Sequence, residues 1–466
     1  MATTTALDEV LTVRGLAPPP AGEITISGAD PILDTRFTIA GNLAAVQAGI
    51  GVAVSDLWEL KTGRRQRATV DVRHAAAGIR SAYRLQRPDA SGMFKDVVNS
   101  EHDATRTIAQ PWPTKDGRWF LPHFGLPNLR ERVLNVLGCE PTPALVAAAV
   151  AKWDGVDLEN AIDEARACGA MVRTNEEWLA HPHGKVLAQK PIVEIIKIGD
   201  SDSEPLPAGD RPLSGIRVLD ATRILAGPMA ARTLAEHGAD VLMVSAEHLP
   251  YIPEHVTDTS HGKRSCFLDL RKSDDAATMR KLVGSADVFT NSYRLGALAK
   301  LGFGAEDVAA LRPGIVYVSI NCYGADGPFS HRAGWEQMGQ TVTGILHANG
   351  DGKPKLLPAP ACDYTTGYLA AYGALLALAR RAREGGSYHV RVSLCQSGMF
   401  IYRQGKVAPG SPVTPLSPED VDVLRIESRT SSGPLRHLKP MLQLSETPPR
   451  WERPTPKLGS DKAEWL

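Results

Sequence analysis

Asp363 is the one acidic residue in "PAPACDYTTGYLAAYGALLALARR" (358–381), where it stands at the head of a long apolar segment with the thiol of Cys362 beside it. Tyr368, Tyr372, Leu375, Leu376 and Ala379 fall on one helical face, so the spacing predicts a helix with Asp363 at or just before its N-terminus. One reading is structural, because aspartate is a preferred N-terminal cap. The other is chemical: a helix N-terminus holds a reacting carboxylate ionised, and its free backbone N–H groups stabilise an oxyanion. Cys362 is the rival nucleophile, but no histidine lies near it, and a free cysteine is more often a small buried apolar residue.

Two further groups are candidates. Glu336 and Gln340 in "HRAGWEQMGQTVTG" (331–344) stand one helical turn apart and aim the same way, as a surface pair or as part of a site. Asp220 in "VLDATRILAGP" lies at a strand end, as a loop-capping carboxylate or a ligand contact. That loop joins a strand to a helix without G-x-G-x-x-G. Gly227-Pro228 alone cannot wrap a pyrophosphate in backbone N–H groups, which argues against a nicotinamide enzyme, and no P-loop lysine follows.

The elements that must position these residues begin after "IGDSDSEPLPAGDRPLSG" (198–215), the best domain boundary. Ile216–Leu219, a helix carrying Met229, Leu234 and Ala235, and Val241–Val244 form a β-α-β unit. "SCFLDL", "DAATMRKLVGSA", "DVFTNSY", "GAEDVAALRPG" and "IVYVSINCYG" continue the alternation. The expected class is α/β: a Rossmann-like, mostly parallel sheet with ligands beyond the carboxyl ends of its strands, in the loops after Leu219, Val244, Phe289 and Ile320. There is also an internal repeat. Residues 45–75 and 367–397 share an apolar helix, basic end, glycine turn and alternating strand, with Gly63 matching Gly385 at an offset of 322. On that offset Gly41 falls opposite Asp363, so the first copy lacks the acid.

Composition narrows the classes. Lys+Arg 52 against Asp+Glu 52 leaves no net charge, and no basic stripe with interleaved aromatics is present, so nucleic acid is not an expected partner. Six single cysteines without C-x-x-C or metal spacing suit a reducing cytoplasm and suggest no metal site. "MATTTALDEVLTV" lacks the flanks of a secretory signal, and "YLAAYGALLALA", read as the longest apolar stretch, is too short to span a bilayer.

"PLSGIRVLDATRILAGPMAARTLAEHGADV", "GKRSCFLDLR", "ADVFTNSYRLGALAKLGFG", "RPGIVYVSINCYGADGPF" and "DYTTGYLAAYGALLALARR", in this order, resemble the class III CoA-transferases of CaiB/BaiF type, the group that includes formyl-CoA transferase and carnitine CoA-transferase. The match covers about 211 to 400. Residues 41–80 resemble the second half of the family's large domain, and "DGRWFLPHFGLPNLRERVLNVLG" and "ENAIDEARACGAMVRTNEEWLAHPHG" resemble its smaller α+β domain, so the usual order is rearranged. The division this implies is an N-terminal tail (1–30), a partial large-domain repeat (31–105), a small domain (106–205), a Rossmann-like CoA-binding domain (206–400) and a Pro-rich C-terminal tail (401–466).

The resemblance implies that Asp363 is the nucleophile, forming a mixed anhydride and then an enzyme-bound CoA thioester. A carboxylate ionised at neutral pH needs no general base to attack a thioester. It implies CoA contacts at Leu225 and Ala226, at Leu268, Asp269, Leu270 and Arg271, at Ser292, Tyr293, Arg294 and Lys300, and at Ala333, Gly334, Trp335 and Glu336. Arg271, Arg294 and Lys300 are the cations offered to the phosphates. CoA and acyl-CoA enter as substrates alongside a free carboxylic acid, with no permanently bound cofactor. An intertwined homodimer is implied, since split large-domain pieces must find partners. The chain departs from the family at "VSAEH", which lacks a basic residue, at "TNSY" in place of "ENF", and in having no glycine-run lid. Two alternatives stand. An acyl-CoA racemase on this fold pairs the aspartate with a histidine, but Trp335 occupies the matching position. The other is a non-catalytic CoA-binding subunit.

Overall fold

The computed structural model describes residues 2–97 and 100–466. Seven strands form the large sheet: β1 (Glu194–Gly199), β2 (Arg217–Ala221), β3 (Asp240–Ser245), β4 (Lys263–Phe267), β5 (Val288–Asn291), β6 (Val316–Asn321) and β7 (Ser387–Ser393). Their order is β4-β3-β2-β5-β6-β7-β1. Every neighbouring pair is parallel except β7 with β1. Buried runs such as Val316–Val318 suit strands covered on both faces. The order reverses between β2 and β5, where a doubly wound sheet opens its ligand crevice. The fold is therefore the expected α/β class. The edge strand β1 was not anticipated, because "EIIKIG" is only half-buried and lies against the linker.

Five helices matter for the site: α1 (Ala2–Arg14), α2 (Ile39–Thr62), α3 (Ala226–Glu236), α4 (Glu336–Val342) and α5 (Ala361–Glu384). α2 and α5 reproduce the repeat at both ends, since each runs 24 residues and stops at the matching glycine, Gly63 or Gly385, with φ of 74° and 68°. They pack directly on each other. Both are apolar nearly all round, which marks core helices rather than surface ones. α2, not the α5 segment, is the chain's longest apolar stretch. By length and composition it could cross a membrane, yet 89% of its apolar window is buried inside the protein. At its start Gly41 takes the place of Asp363, and its N–H donates to Asp30 Oδ2 (2.7 Å).

Neither terminal segment is a tail. Ala6 and Val10 of α1 are buried, the Tyr372 hydroxyl donates to the Val10 carbonyl (3.1 Å), and Arg14 grips Asp56 through two hydrogen bonds (2.6 and 2.7 Å). At the other end, Asp461 exchanges bonds with the backbone of Ser265 on β4 (2.7 and 2.9 Å), and the Trp465 indole donates to the Leu282 carbonyl (3.1 Å). The Pro-rich composition suggested a free tail, but this segment covers the open edge of the sheet, which would otherwise template pairing with another chain. The small domain builds a three-stranded sheet with its own core around Phe120, Val133, Val146 and Leu158. The split pieces that were expected to require a second subunit meet within one chain, so that reason for an intertwined dimer falls away.

Two buried histidines give a stability prediction. His183 has Nε2 against the Tyr323 carbonyl (2.7 Å) and Nδ1 accepting the Phe329 N–H (3.0 Å), so it is held neutral. Burial pushes His183 down to about 4 and His237 down to about 3. The unfolded chain protonates these groups near 6.5 while the folded one does not. Stability is therefore complete above pH 6.5 and falls with pH below it, by about 2 kcal/mol for each histidine at pH 5. Urea titrations at pH 7.5 and 5.0 measure the difference, and equal stabilities would refute it.

Candidate active site

Asp363 is the third residue of α5, one turn inside the position expected of a cap, and Pro360 precedes the helix. All four first-turn amides are taken. Ala361 N–H donates to the Ala359 carbonyl (2.8 Å) and Tyr364 N–H to that of Pro360 (3.1 Å), while Cys362 and Asp363 N–H donate to the Glu336 carboxylate (3.2 and 2.5 Å). The free amides expected to hold an oxyanion are thus spent on Glu336. That side chain opens α4 and also accepts from Gln340 Nε2 (2.6 Å), whose Oε1 takes the Leu357 N–H (2.9 Å). Glu336 and Gln340 form a buried pair, not a surface one.

The Glu336 and Asp363 side chains are both buried. Burial pushes Glu336 up to about 7 against the hydrogen bonds that favour its charge. Asp363 is pushed well above the usual carboxylate range, first by burial and then by the Glu336 charge. The expectation of an aspartate freely ionised at neutral pH is corrected accordingly, since two acids this close resist double ionisation. The Cys362 thiol is pushed far up by burial and by both acids, which leaves it unreactive.

Asp363 and Glu336 open onto a cavity of about 1,510 Å³, which Trp335 and Leu225 also line. That exceeds the ~300–1,000 Å³ usual for one small ligand and leaves room for a long one. Its walls hold residues the sequence did not single out. His123 lies against Trp335 with ring centroids 4.5 Å apart and the planes tilted by 31°, and its Nδ1 accepts the Gly125 N–H (3.2 Å). Arg80 and Tyr83 come from the N-terminal repeat. The intervening Ser81 and Ala82 bind the Tyr364 hydroxyl (3.0 and 3.1 Å), and Ser81 donates to Asp258 (2.6 Å), which pairs with Arg232 (2.9 Å). A buried polar network therefore locks the repeat onto the residue after Asp363. No periodicity marks Arg80 or Tyr83, because they reach the site only through this long-range docking.

Of the remaining expected contacts only Leu225 lines the cavity. Leu225 caps α3 and Ala226 begins it, after a loop in which Ile224 has φ of 76°, strained for a β-branched residue. Asp220 holds that loop, accepting from Thr222 N–H and Oγ1 (3.1 and 2.5 Å), Thr290 Oγ1 (2.9 Å) and the buried Lys263 (2.7 Å). It is the capping carboxylate of the two readings. Gly367 lets α5 approach, since a Cβ there would lie 2.6 Å from the Ala226 carbonyl oxygen. Leu268 is buried, and Leu270 packs on the same apolar cluster. Asp269 is clamped by Arg271 (2.8 and 2.7 Å), which also reaches His248 (3.1 Å) at the cavity rim. Ser292 Oγ accepts the Arg223 N–H (2.8 Å), Arg223 lies over Tyr293, and Arg294 donates to the Arg166 carbonyl (3.0 Å). Lys300 sits in the short turn Ala299–Leu301. None of Arg271, Arg294 and Lys300 lines the cavity. The Ala333 carbonyl faces Cys168, and Gly334 is packed against Cys322. Among the described residues no cluster of His, Cys, Asp and Glu could hold a metal.

The family model described as CoA-transferase family III matches residues 213–408. An acetyl-coenzyme A transferase of Hypoxylon pulicicidum is 30% identical over 416 residues, covering 80% of this chain and 70% of that one. An acyl-CoA transferase of Gibberella moniliformis is 30% identical over 395 residues, covering 76% and 69%. The chain belongs to CoA-transferase family III. An alignment of 416 residues cannot fit between 213 and 466, so the likeness to the Hypoxylon protein extends into the N-terminal half. A solved CaiB/BaiF family protein from Brucella suis is 27% identical with a TM-score of 0.39, covering 48% of this chain and 65% of that one, just under two thirds of its length.

Proposed function

We propose that the chain is a CaiB/BaiF-type enzyme that moves CoA from an acyl-CoA thioester to a free carboxylic acid, with Asp363 as nucleophile. The observation that carries this is the placement of Asp363 beside Glu336 on the long cavity, with the neighbouring thiol disabled. Ionised Asp363 attacks the thioester carbonyl carbon, the C–S bond breaks, and CoA leaves as thiolate from an acyl-aspartyl anhydride. The thiolate attacks the aspartyl carbonyl, releasing the donor acid and leaving an aspartyl-CoA thioester. An acceptor carboxylate displaces CoA to give a second anhydride. The thiolate then attacks the acceptor carbonyl, yielding the new acyl-CoA and regenerating Asp363. One thioester replaces another, so the exchange is nearly isoenergetic. The protein's task is to keep water from the anhydrides, which the burial of both acids favours. Glu336 orients the first turn of α5, and through its charge it sets when Asp363 ionises.

Incubating the protein with an acyl-CoA and an isotopically labelled acid tests the reading, and label should appear in acyl-CoA. Binding of acyl-CoA with no exchange would instead make this a non-catalytic CoA-binding subunit. One observation favours a second reading. His123 lines the same cavity, so a second acid/base group is at hand for α-proton chemistry even though Trp335 fills the family's histidine position. A racemase would wash deuterium from D₂O into the α-carbon of acyl-CoA. The transferase predicts no α-deuterium at acyl-CoA concentrations that support exchange.

A further inference from the structure

Resting on the transferase reading, we propose that Gln340 is a positioning residue of the reaction: one buried amide fixes Glu336 and the cavity wall ahead of α5, and through them the aim and the ionisation of Asp363. The two ends of the amide have different partners. The Leu357 N–H can only donate, so it takes Oε1 (2.9 Å) and leaves Nε2 to donate to Glu336 Oε1 (2.6 Å). Glu336 in turn receives the Cys362 and Asp363 amides (3.2 and 2.5 Å). Residues 356–360, which carry the Leu357 amide, line the cavity and lead into α5. One buried side chain therefore ties α4, this wall and the first turn of α5 together.

Position 340 needs a donor and an acceptor on one side chain, and the donor end also acts on charge. Three N–H groups converge on the Glu336 carboxylate, and such bonds favour its ionised form. Burial pushes Glu336 up to about 7, and the Gln340 hydrogen bond is the first of the contacts that pull it back. Without that donor Glu336 stays neutral to higher pH, and Asp363, whose ionisation its charge opposes, ionises at lower pH. The surrounding groups are few. α4 carries no other ionisable side chain. Cys362 on α5 and Cys322, whose Sγ faces the Trp335 carbonyl (3.8 Å), are thiols pushed far up by burial. Tyr83 on the cavity wall is pushed up to about 12, also by burial. The helix Leu394–Arg403 packs on α4 and brings Cys395 and Arg403, and Ile345–Asn349 brings His347; Arg403 and His347 are exposed. His123, which lies against Trp335, is the neighbour whose own titration must be separated from that of Glu336.

The test reads kcat/KM for CoA exchange against pH and, without substrate, the carbon NMR titration of isotopically labelled glutamate carboxyls. Gln340→Met should lower exchange on the order of 10- to 100-fold, the effect of one hydrogen bond to a charged group. It should also move the rising limb of the profile to lower pH and the titration of the Glu336 resonance, assigned by its loss in Glu336→Gln, to higher pH. Added to Glu336→Gln it should move the limb no further, which separates Glu336 from His123. Gln340→Glu keeps the native length and an acceptor for Leu357, yet its carboxyl can donate to Glu336 only while protonated. Its exchange should exceed that of Gln340→Met at low pH and lose the advantage as pH rises. Lost exchange with the limb and the Glu336 resonance both unmoved would leave Gln340 a merely structural part and overturn the proposal, as would Gln340→Glu matching Gln340→Met at every pH. A moved Glu336 resonance with no exchange from wild type sustains the role of Gln340 and sinks the transferase reading instead.

Discussion

Asp363→Ala lowers CoA exchange by at least about 10⁴-fold, the scale on which removal of a covalent nucleophile is felt, with the fold intact. The second half of the expectation follows from the contacts: among the described residues only the backbone of Asp363 is hydrogen-bonded, its carboxylate accepts no hydrogen bond, and its charge is opposed by burial and by Glu336. Removing it relieves repulsion instead of breaking a network, so neither Asp363→Ala nor Asp363→Asn should melt below wild type. Asp363→Glu should restore little activity, because the extra methylene shifts the attacking oxygen while the cavity wall stays where Trp335 and Glu336 hold it. An isotope-exchange assay beside a thermal melt reads both quantities. Unchanged turnover in Asp363→Ala removes the proposed nucleophile.

Glu336 carries the second large effect. Glu336→Ala strands the Cys362 and Asp363 amides in a buried site, at about 1–3 kcal/mol for each unpaired group, and frees the turn that aims Asp363. Exchange should fall on the order of 10²- to 10³-fold. Glu336→Gln separates geometry from charge, since the amide oxygen still accepts a hydrogen bond but the neighbouring negative charge is gone. The sign is determined by the pair. Asp363 is raised partly by Glu336, so neutralising Glu336 lets Asp363 ionise at lower pH. In wild type, kcat/KM for acyl-CoA should rise with pH as Asp363 ionises, well above the usual carboxylate range, and in Glu336→Gln that rise should move to lower pH. An unmoved limb would show that the two acids do not share their titration.

The sheet and the position of Asp363 in its helix were legible because both are local patterns. Strand-helix alternation after residue 215 prescribes a parallel sheet, and an aspartate at the head of a long apolar helix is conspicuous wherever it falls. The repeat was legible for the same reason, its glycine-ended helices standing 322 residues apart. What escaped depends on contacts between distant segments. Glu336 could be read as half of a surface pair with Gln340 until α5 placed two N–H groups against it. Arg80 and Tyr83 sit in an unremarkable stretch and reach the cavity only because Ser81 and Ala82 bind Tyr364, 283 and 282 residues away. The C-terminal segment was misread because proline content reports a lack of regular structure, not a lack of packing, and Asp461 and Trp465 tie it to the sheet edge. Sequence also cannot tell whether a cation is already engaged, as Arg271 is by Asp269.

The central claim is that the side chain at 363 is acylated during turnover, and trapping tests it most directly. Wild-type protein mixed with a competent acyl-CoA and quenched with hydroxylamine or borohydride, then digested and mass-analysed, should carry the modification on the peptide containing Asp363. Recovery of that peptide unmodified while exchange proceeds would contradict the account.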